Sequence, residues 1–368
     1  MSHRCKVLLL ISALFISCIY TGIAQSDTTS TFGSLSFTAR THYGFFIANQ
    51  SKSMYVRDSH SALNELDISL TTTNKHAWAQ VNNFLHLGIA LLYGRSGGDQ
   101  YIGHIGAIFP YADFPLVKRN AFTTSFRLGF GLGWVEKPFN AETNTKNLLI
   151  GSKFNGCINM ALQSEVQLIK HVYLSAGISF THLSNGCSKL PNLGLNIPAV
   201  TAGLRYAIRA DEKPVKKELA PFVKKWHYYV FANAAAKQTY PLTNTTYMVT
   251  SIAAEALKDF SYYGRFGGGF NVTYDPSLSR EIEGAFFIFD KKDPFWQASI
   301  YGAYEHVMGK LSIPIQFGMY VYNKYPVSGV YQNIGLRYKV SSHLVASLQL
   351  KAHLGKADYI QYGIGYKF

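Results

Sequence analysis

The feature that most constrains this chain is a two-residue alternation in which one face is apolar and the other is small and uncharged. Leu174, Ala176, Ile178 and Phe180 alternate with Ser175, Gly177, Ser179 and Thr181. Val200, Ala202, Leu204, Tyr206 and Ile208 stand against Thr201, Gly203, Arg205 and Arg209, and Leu311, Ile313, Ile315, Phe317, Met319 and Val321 against Ser312, Gln316 and Gly318. Successive side chains of a strand point to opposite faces, so each run is a strand with one apolar side. In a water-soluble sandwich the other side would carry many Lys and Glu. Here it carries mostly Gly, Ser, Thr, Gln and Asn, and only 15% of the chain is charged, against an ordinary ~25%. A wall with lipid on one side and a polar lumen on the other accounts for both observations. After residue 24 no stretch holds the ~18 apolar residues of a helical span. The composition also excludes disorder, collagen and coiled coil. The expected fold class is therefore all-β: a transmembrane antiparallel β-barrel.

The first residues read as an export signal. Arg4 and Lys6 precede an apolar segment from Val7 to Tyr20, and Gly22-Ile23-Ala24 offers small residues for cleavage before Gln25. Candidate strands follow near 36–48, 65–73, 86–94, 101–110, 122–135, 148–168, 172–182, 198–209, 226–237, 247–258, 262–274, 295–307, 311–323, 330–340, 343–353 and 358–368. Weak alternation at 65–73 and 86–110 leaves the expected total at about 14–16. Short connections at 169–171, 259–261, 308–310 and 341–342 all fall on one side, the short-turn side of such barrels. The expected organisation is a signal peptide at 1–24, a first barrel half at 25–210, a polar periplasmic linker at 211–225 and a second half at 226–368.

The two halves resemble each other. His171-Val-Tyr-Leu, His182 and Gly203-Leu-Arg-Tyr correspond to His343-Leu-Val-Ala, His353 and Gly363-Ile-Gly-Tyr, with Asp211–Glu218 between them. A duplicated eight-strand unit explains this either as one larger barrel or as two tandem 8-stranded barrels. The single barrel is preferred, because a tandem arrangement must close two seams. The chain ends with Ile360, Tyr362, Ile364, Tyr366 and Phe368 on one face. That ending is similar to the final strand by which the barrel-assembly machinery recognises bacterial outer-membrane proteins.

His182 and Ser184 are two residues apart, so they share a side on an extended chain. Parity gives them the apolar side of Leu174, Ala176, Ile178 and Phe180. Polar groups facing hydrocarbon are costly without a partner or a role. One reading is interface-level polar residues in a loop. The other is a Ser-His esterase, in which imidazole removes the hydroxyl proton as serine attacks an acyl carbonyl.

His182-Leu-Ser-Asn-Gly186 followed by Pro191-Asn-Leu-Gly194 resembles the motif of outer-membrane lipid A 3-O-deacylases, the PagL family, over roughly residues 30–210. The resemblance implies an outer-membrane esterase of a Gram-negative bacterium that cleaves an ester-linked acyl chain of lipopolysaccharide, with lipid A as its partner. It implies His182 as general base, Ser184 as nucleophile, and Asn185 with the Gly186 N–H as oxyanion donors. At the position matching the family's acid stands Asn196. An Asn can orient an imidazole but carries no charge. That leaves open weaker activity, recruitment of Glu142, or a catalytically inactive barrel serving as a channel or structural protein; Glu165 should lie too deep on its strand to substitute.

No CxxC, HExxH or phosphate-binding loop is present, and no cofactor is expected. The formal net charge of +14 is dispersed, which suits anionic lipid A phosphates better than nucleic acid. Parity places His353 inside the barrel rather than at a second site. A disulfide between Cys157 and Cys187 is a possibility if the strands flanking residue 170 form a hairpin and the following loop folds back, although parity turns Cys157 toward the lumen.

Overall fold

The computed structural model describes residues 32–47, 55–119, 122–209, 216–240, 245–278, 295–323 and 328–368; the expected signal peptide lies outside them. Eight strands precede the linker: β1 (Phe32–Gly44), β2 (Ser61–Thr72), β3 (His86–Arg95), β4 (His104–Arg119), β5 (Phe122–Val135), β6 (Phe154–Ile169), β7 (Val172–Ser184) and β8 (Leu195–Ala207). Eight follow it: β9 (Trp226–Lys237), β10 (Tyr247–Ser261), β11 (Gly264–Tyr274), β12 (Trp296–Met308), β13 (Leu311–Asn323), β14 (Val330–Lys339), β15 (Leu344–His353) and β16 (Lys356–Lys367). A short helix, α1 (Ala77–Val81), lies between β2 and β3. Every pairing is antiparallel between neighbours in sequence, apart from two closures.

Those closures correct the expectation of one large barrel. β8 returns to β1, from Ser36↔Ala207 to Gly44↔Ala199, and β16 returns to β9, from Gln361↔Ala235 to Lys367↔Tyr229. The protein is two closed eight-stranded barrels in tandem. A closing seam satisfies N–H and C=O groups as an interior ladder does, so a second seam carries no penalty, and each closure removes two open edges. Each seam also preserves parity: outward Val200, Leu204 and Tyr206 lie beside outward Phe37 and Tyr43.

The repeat is visible in contacts. His171 and His343 each precede the seventh strand of their barrel, and their Nδ1 atoms lie 2.9 Å from the carbonyl oxygens of Ala207 and Lys367, near the end of the eighth strand. Each ring also lies against a tyrosine of that strand, Tyr206 and Tyr366 respectively.

Neither interior is merely small and uncharged. In the first barrel Glu65 receives Arg40 and Arg127 (2.7 Å), and Tyr111 donates to Asp67 at 2.7 Å. In the second, Arg337 pairs with Glu255 at 2.6 Å and Arg265 with Glu305 at 2.9 Å. At the long-loop end of the first barrel a cluster including Phe46, Val56, Ile102, Leu149 and Ile150 is completely buried.

Among the described residues the barrels touch at two places. At the short-turn end, Trp78 of α1, Leu85 and Phe114 pack with Met308, Leu311 and Ile313, and His306 Nε2 lies 3.2 Å from Asn82 Oδ1. At the long-loop end, the loop after β7 meets the second barrel: Cys187 Sγ donates to the Ala357 carbonyl at 3.3 Å.

Candidate active site

Leu174, Ile178 and the neighbouring odd-even partners of β7 keep their faces to the strand's end: Tyr173, Ser175, Thr181 and Leu183 are buried, whereas Leu174 and Ile178 are exposed. His182 and Ser184 therefore point to the outer side of the wall, near the long-loop end, as parity requires; His182 is half-buried there and Ser184 is buried.

Antiparallel register places Asn196 of β8 directly across from His182. The His182 Nδ1–H donates to Asn196 Oδ1 at 2.6 Å. An acceptor at Nδ1 selects the neutral tautomer with its lone pair on Nε2, the form a general base needs. Behind the ring stands Gly194, at φ +79°, where an added Cβ would meet His182 Cε1 at 2.8 Å. Glycine is required there twice, by the left-handed backbone and by the imidazole's space.

Ser184 Oγ accepts from Asn192 Nδ2 at 2.9 Å and from the Gly186 N–H at 3.2 Å. The Asn185 N–H donates to Asn192 Oδ1 at 3.1 Å, which fixes the amide so that its nitrogen faces the serine. No hydrogen bond joins His182 to Ser184 among the described residues; the serine side chain must turn from Asn192 toward the imidazole to be deprotonated. Such bonds commonly tighten only with substrate present.

Two expectations change here. The Asn185 side chain is consumed by the loop, donating to Ser152 Oγ at 2.7 Å and to the Lys189 carbonyl at 2.8 Å, so it has no donor to spare for an oxyanion. The side-chain amide next to Ser184 Oγ is that of Asn192 instead. It belongs to the Pro-Asn-Leu-Gly stretch, but no spacing rule links it to Ser184; only the turn between them does. Cys157 and Cys187 are both free thiols. Cys157 lies in the buried lumen cluster and Cys187 faces the second barrel, so the wall of the first barrel separates them.

Neither alternative acid reaches the imidazole. Glu142 is exposed in a turn held by Asn140, and Glu165 pairs with Arg205 at 3.0 Å inside the barrel. His353 is also turned inward, with Nε2 3.0 Å from Tyr320 Oη and Nδ1 3.8 Å from Asp358. The β15–β16 connection is only residues 354–355, and a turn that short has no room for an oxyanion loop.

Beside His182 the outer wall carries a groove of about 670 Å³, lined by apolar side chains including Phe180, Ile178, Met160, Pro198, Val200 and Tyr43. It crosses β6, β7, β8 and β1, and Phe180 and Pro198 are themselves paired two residues along from the His182–Asn196 pair, on the same face. The arrangement can hold an acyl chain against the barrel and present its carbonyl end to a serine flanked by two N–H donors.

Among solved structures, neisserial surface protein A is 9% identical, covering 47% of this chain and 96% of its own, with a TM-score of 0.33. A mutant porin of Rh. blastica is 12% identical, covering 91% of this chain and 99% of the porin, with a TM-score of 0.20. At these identities neither resemblance bears on function. No curated protein matches the chain. Family models do. Residues 64–205 match lipid A 3-O-deacylase (PagL), and residues 225–368 match the acyloxyacyl hydrolase C-terminal domain associated with it. The two matches fall on the two barrels in turn, and the chain belongs to the PagL family of outer-membrane lipid A deacylases.

Proposed function

We propose that the protein hydrolyses an ester-linked acyl chain of lipid A by a Ser-His mechanism on the outer wall of its first barrel. The acyl chain lies in the groove beside Phe180 and Pro198. His182 Nε2 takes the hydroxyl proton as Ser184 Oγ attacks the ester carbonyl, while Asn196 holds the ring through Nδ1. Charge develops on the carbonyl oxygen. Donors 2.9 and 3.2 Å from Oγ lie within reach of that oxygen, so Asn192 Nδ2 and the Gly186 N–H stabilise it. As the bond from the acyl carbon to the sugar oxygen breaks, the imidazolium gives its proton to that oxygen, releasing a sugar hydroxyl and leaving an acyl-serine. Water, deprotonated by His182, then releases the fatty acid and restores the serine.

The observation that carries this reading is the His182–Asn196 bond, made by two residues on the outer wall, where bare polar groups are costly. The test is mass spectrometry of lipid A after incubation of lipopolysaccharide with the purified protein. Loss of one ester-linked acyl chain, abolished in Ser184→Ala, is the expected result. An unchanged mass with wild-type protein favours a barrel of this family that has lost catalysis. That second reading draws on the missing acid at position 196.

A further inference from the structure

The β7 ladder ends at Ser184, and the chain then takes two consecutive left-handed residues, Gly186 at φ +57° and Cys187 at φ +58°. This bend aims the Gly186 N–H at Ser184 Oγ. Glycine adopts it freely; cysteine does so against its preference, and the geometry needs support from outside the turn. That support comes from the other barrel. Gln238, just beyond the end of β9 and itself buried, donates its backbone N–H to the Cys187 carbonyl at 2.8 Å. Its side-chain Oε1 accepts the Leu190 N–H at 3.1 Å, and its Nε2 donates to Thr246 Oγ1 at 3.4 Å. The Cys187 thiol, pushed up by burial and so kept protonated, donates to the Ala357 carbonyl. A Cβ added at Gly186 would come within 2.9 Å of the Ile360 backbone nitrogen, so β16 forms the back of the bend.

We propose that Gln238 is a positioning residue for ester hydrolysis, through which the second barrel holds the oxyanion donor of the first, so that the active site is completed only by both barrels. This inference rests on Ser184 being the nucleophile. Gln238 touches neither the serine nor the groove, so its loss should act on the rate of the chemical step and leave binding unaffected.

The experiment uses the full-length protein in detergent, with fatty-acid release from purified lipid A followed across substrate concentrations. In Gln238→Ala, which keeps the backbone bond to Cys187 but removes the acceptor of the Leu190 N–H in the loop that carries both donors, kcat falls about ten-fold with KM within about two-fold, the effect of a displaced rather than deleted donor. Gln238→Glu keeps an acceptor for the Leu190 N–H and recovers kcat to within about three-fold of wild type. Labelling of Ser184 by a fluorophosphonate, whose phosphonyl oxygen uses the same donors, slows in parallel. A heat-modifiable Gln238→Ala protein with wild-type kcat overturns the proposal, as does Gln238→Glu being as slow as Gln238→Ala. If Gln238→Ala does not give the heat-modifiable band, Gln238→Met, which keeps the volume and loses the acceptor, decides on the same criterion. Wild-type protein that neither releases fatty acid nor labels at Ser184 defeats the serine assignment instead, an outcome distinct from either of those.

Discussion

Asn196 is the side chain that holds the His182 ring. An amide oxygen orients the imidazole and selects its tautomer, but it brings no charge to stabilise imidazolium as the proton arrives. Replacing Asn196 by Glu should therefore preserve or raise the deacylation rate, measured by fatty-acid release. A fall would mean that the ring needs the amide's fit to Nδ1 at 2.6 Å rather than a charge beside it. Asn192 and Asn185 are close in sequence to the serine and are the same residue type, yet they do different things. Asn192 offers its nitrogen to Ser184, whereas Asn185 spends both donors on Ser152 and Lys189. Asn192→Ala should lower kcat about 10²- to 10³-fold at near-constant KM, the usual consequence of removing one oxyanion donor. Steady-state kinetics on lipid A checks it, and an unchanged kcat removes Asn192 from the oxyanion site.

At the level of elements, the site is a strand pair and the loop that joins it. β7 and β8 supply the histidine and its partner by register, and residues 185–194 supply the donors by their turn. The loop is tied to the β5–β6 connection as well, since the Gly194 N–H donates to the Leu149 carbonyl at 3.0 Å. Gly194→Val should abolish turnover while leaving the heat-modifiable barrel, because the side chain would strike the imidazole and the backbone is left-handed. Turnover near wild type in this variant would mean that the ring is not confined as described. The cysteines test the same elements. Alkylation of unreduced, unfolded protein followed by mass analysis should modify both Cys157 and Cys187, since one faces the lumen and the other the second barrel.

For the whole molecule, the interiors argue against a channel. Glu65 joins Arg40 and Arg127 across the first lumen, and Arg337 joins Glu255 in the second, all of them buried. The purified protein in a planar bilayer should show no stable open-pore conductance; discrete, sustained openings would contradict plugged lumens. Removing Glu65 takes away the closer of the two carboxylates that Arg40 and Arg127 share, leaving Asp67 at 3.3 and 3.9 Å. Glu65→Ala should cost about 3–5 kcal/mol, the penalty for breaking a buried ion pair from one side. Urea unfolding in lipid vesicles measures it. In the tandem architecture the second barrel's surface at Gln238, Ala357 and Ile360 faces the first barrel's loop.

Most strand positions, the inside and outside of the wall, and the outward side of β7 that carries His182 and Ser184 were legible in the amino-acid sequence, although β4 runs to Arg119 rather than 110 and β6 starts at Phe154 rather than 148. A period of two is a local property that each strand carries in its own residues. β5, β9 and β13 begin and end where alternation places them. The aromatic ending and the repeat were legible for the same reason. What only the tertiary structure decided was which edges meet. One sixteen-stranded barrel and two eight-stranded barrels satisfy the same alternation, and the choice rests on pairings between strands far apart in the chain, β1 with β8 and β9 with β16. The division of labour between Asn185 and Asn192, the separation of the two thiols, and the reach of Gln238 into the oxyanion loop were decided there too. Each depends on the path of a turn or the docking of one wall on another, and neither periodicity nor spacing encodes that path.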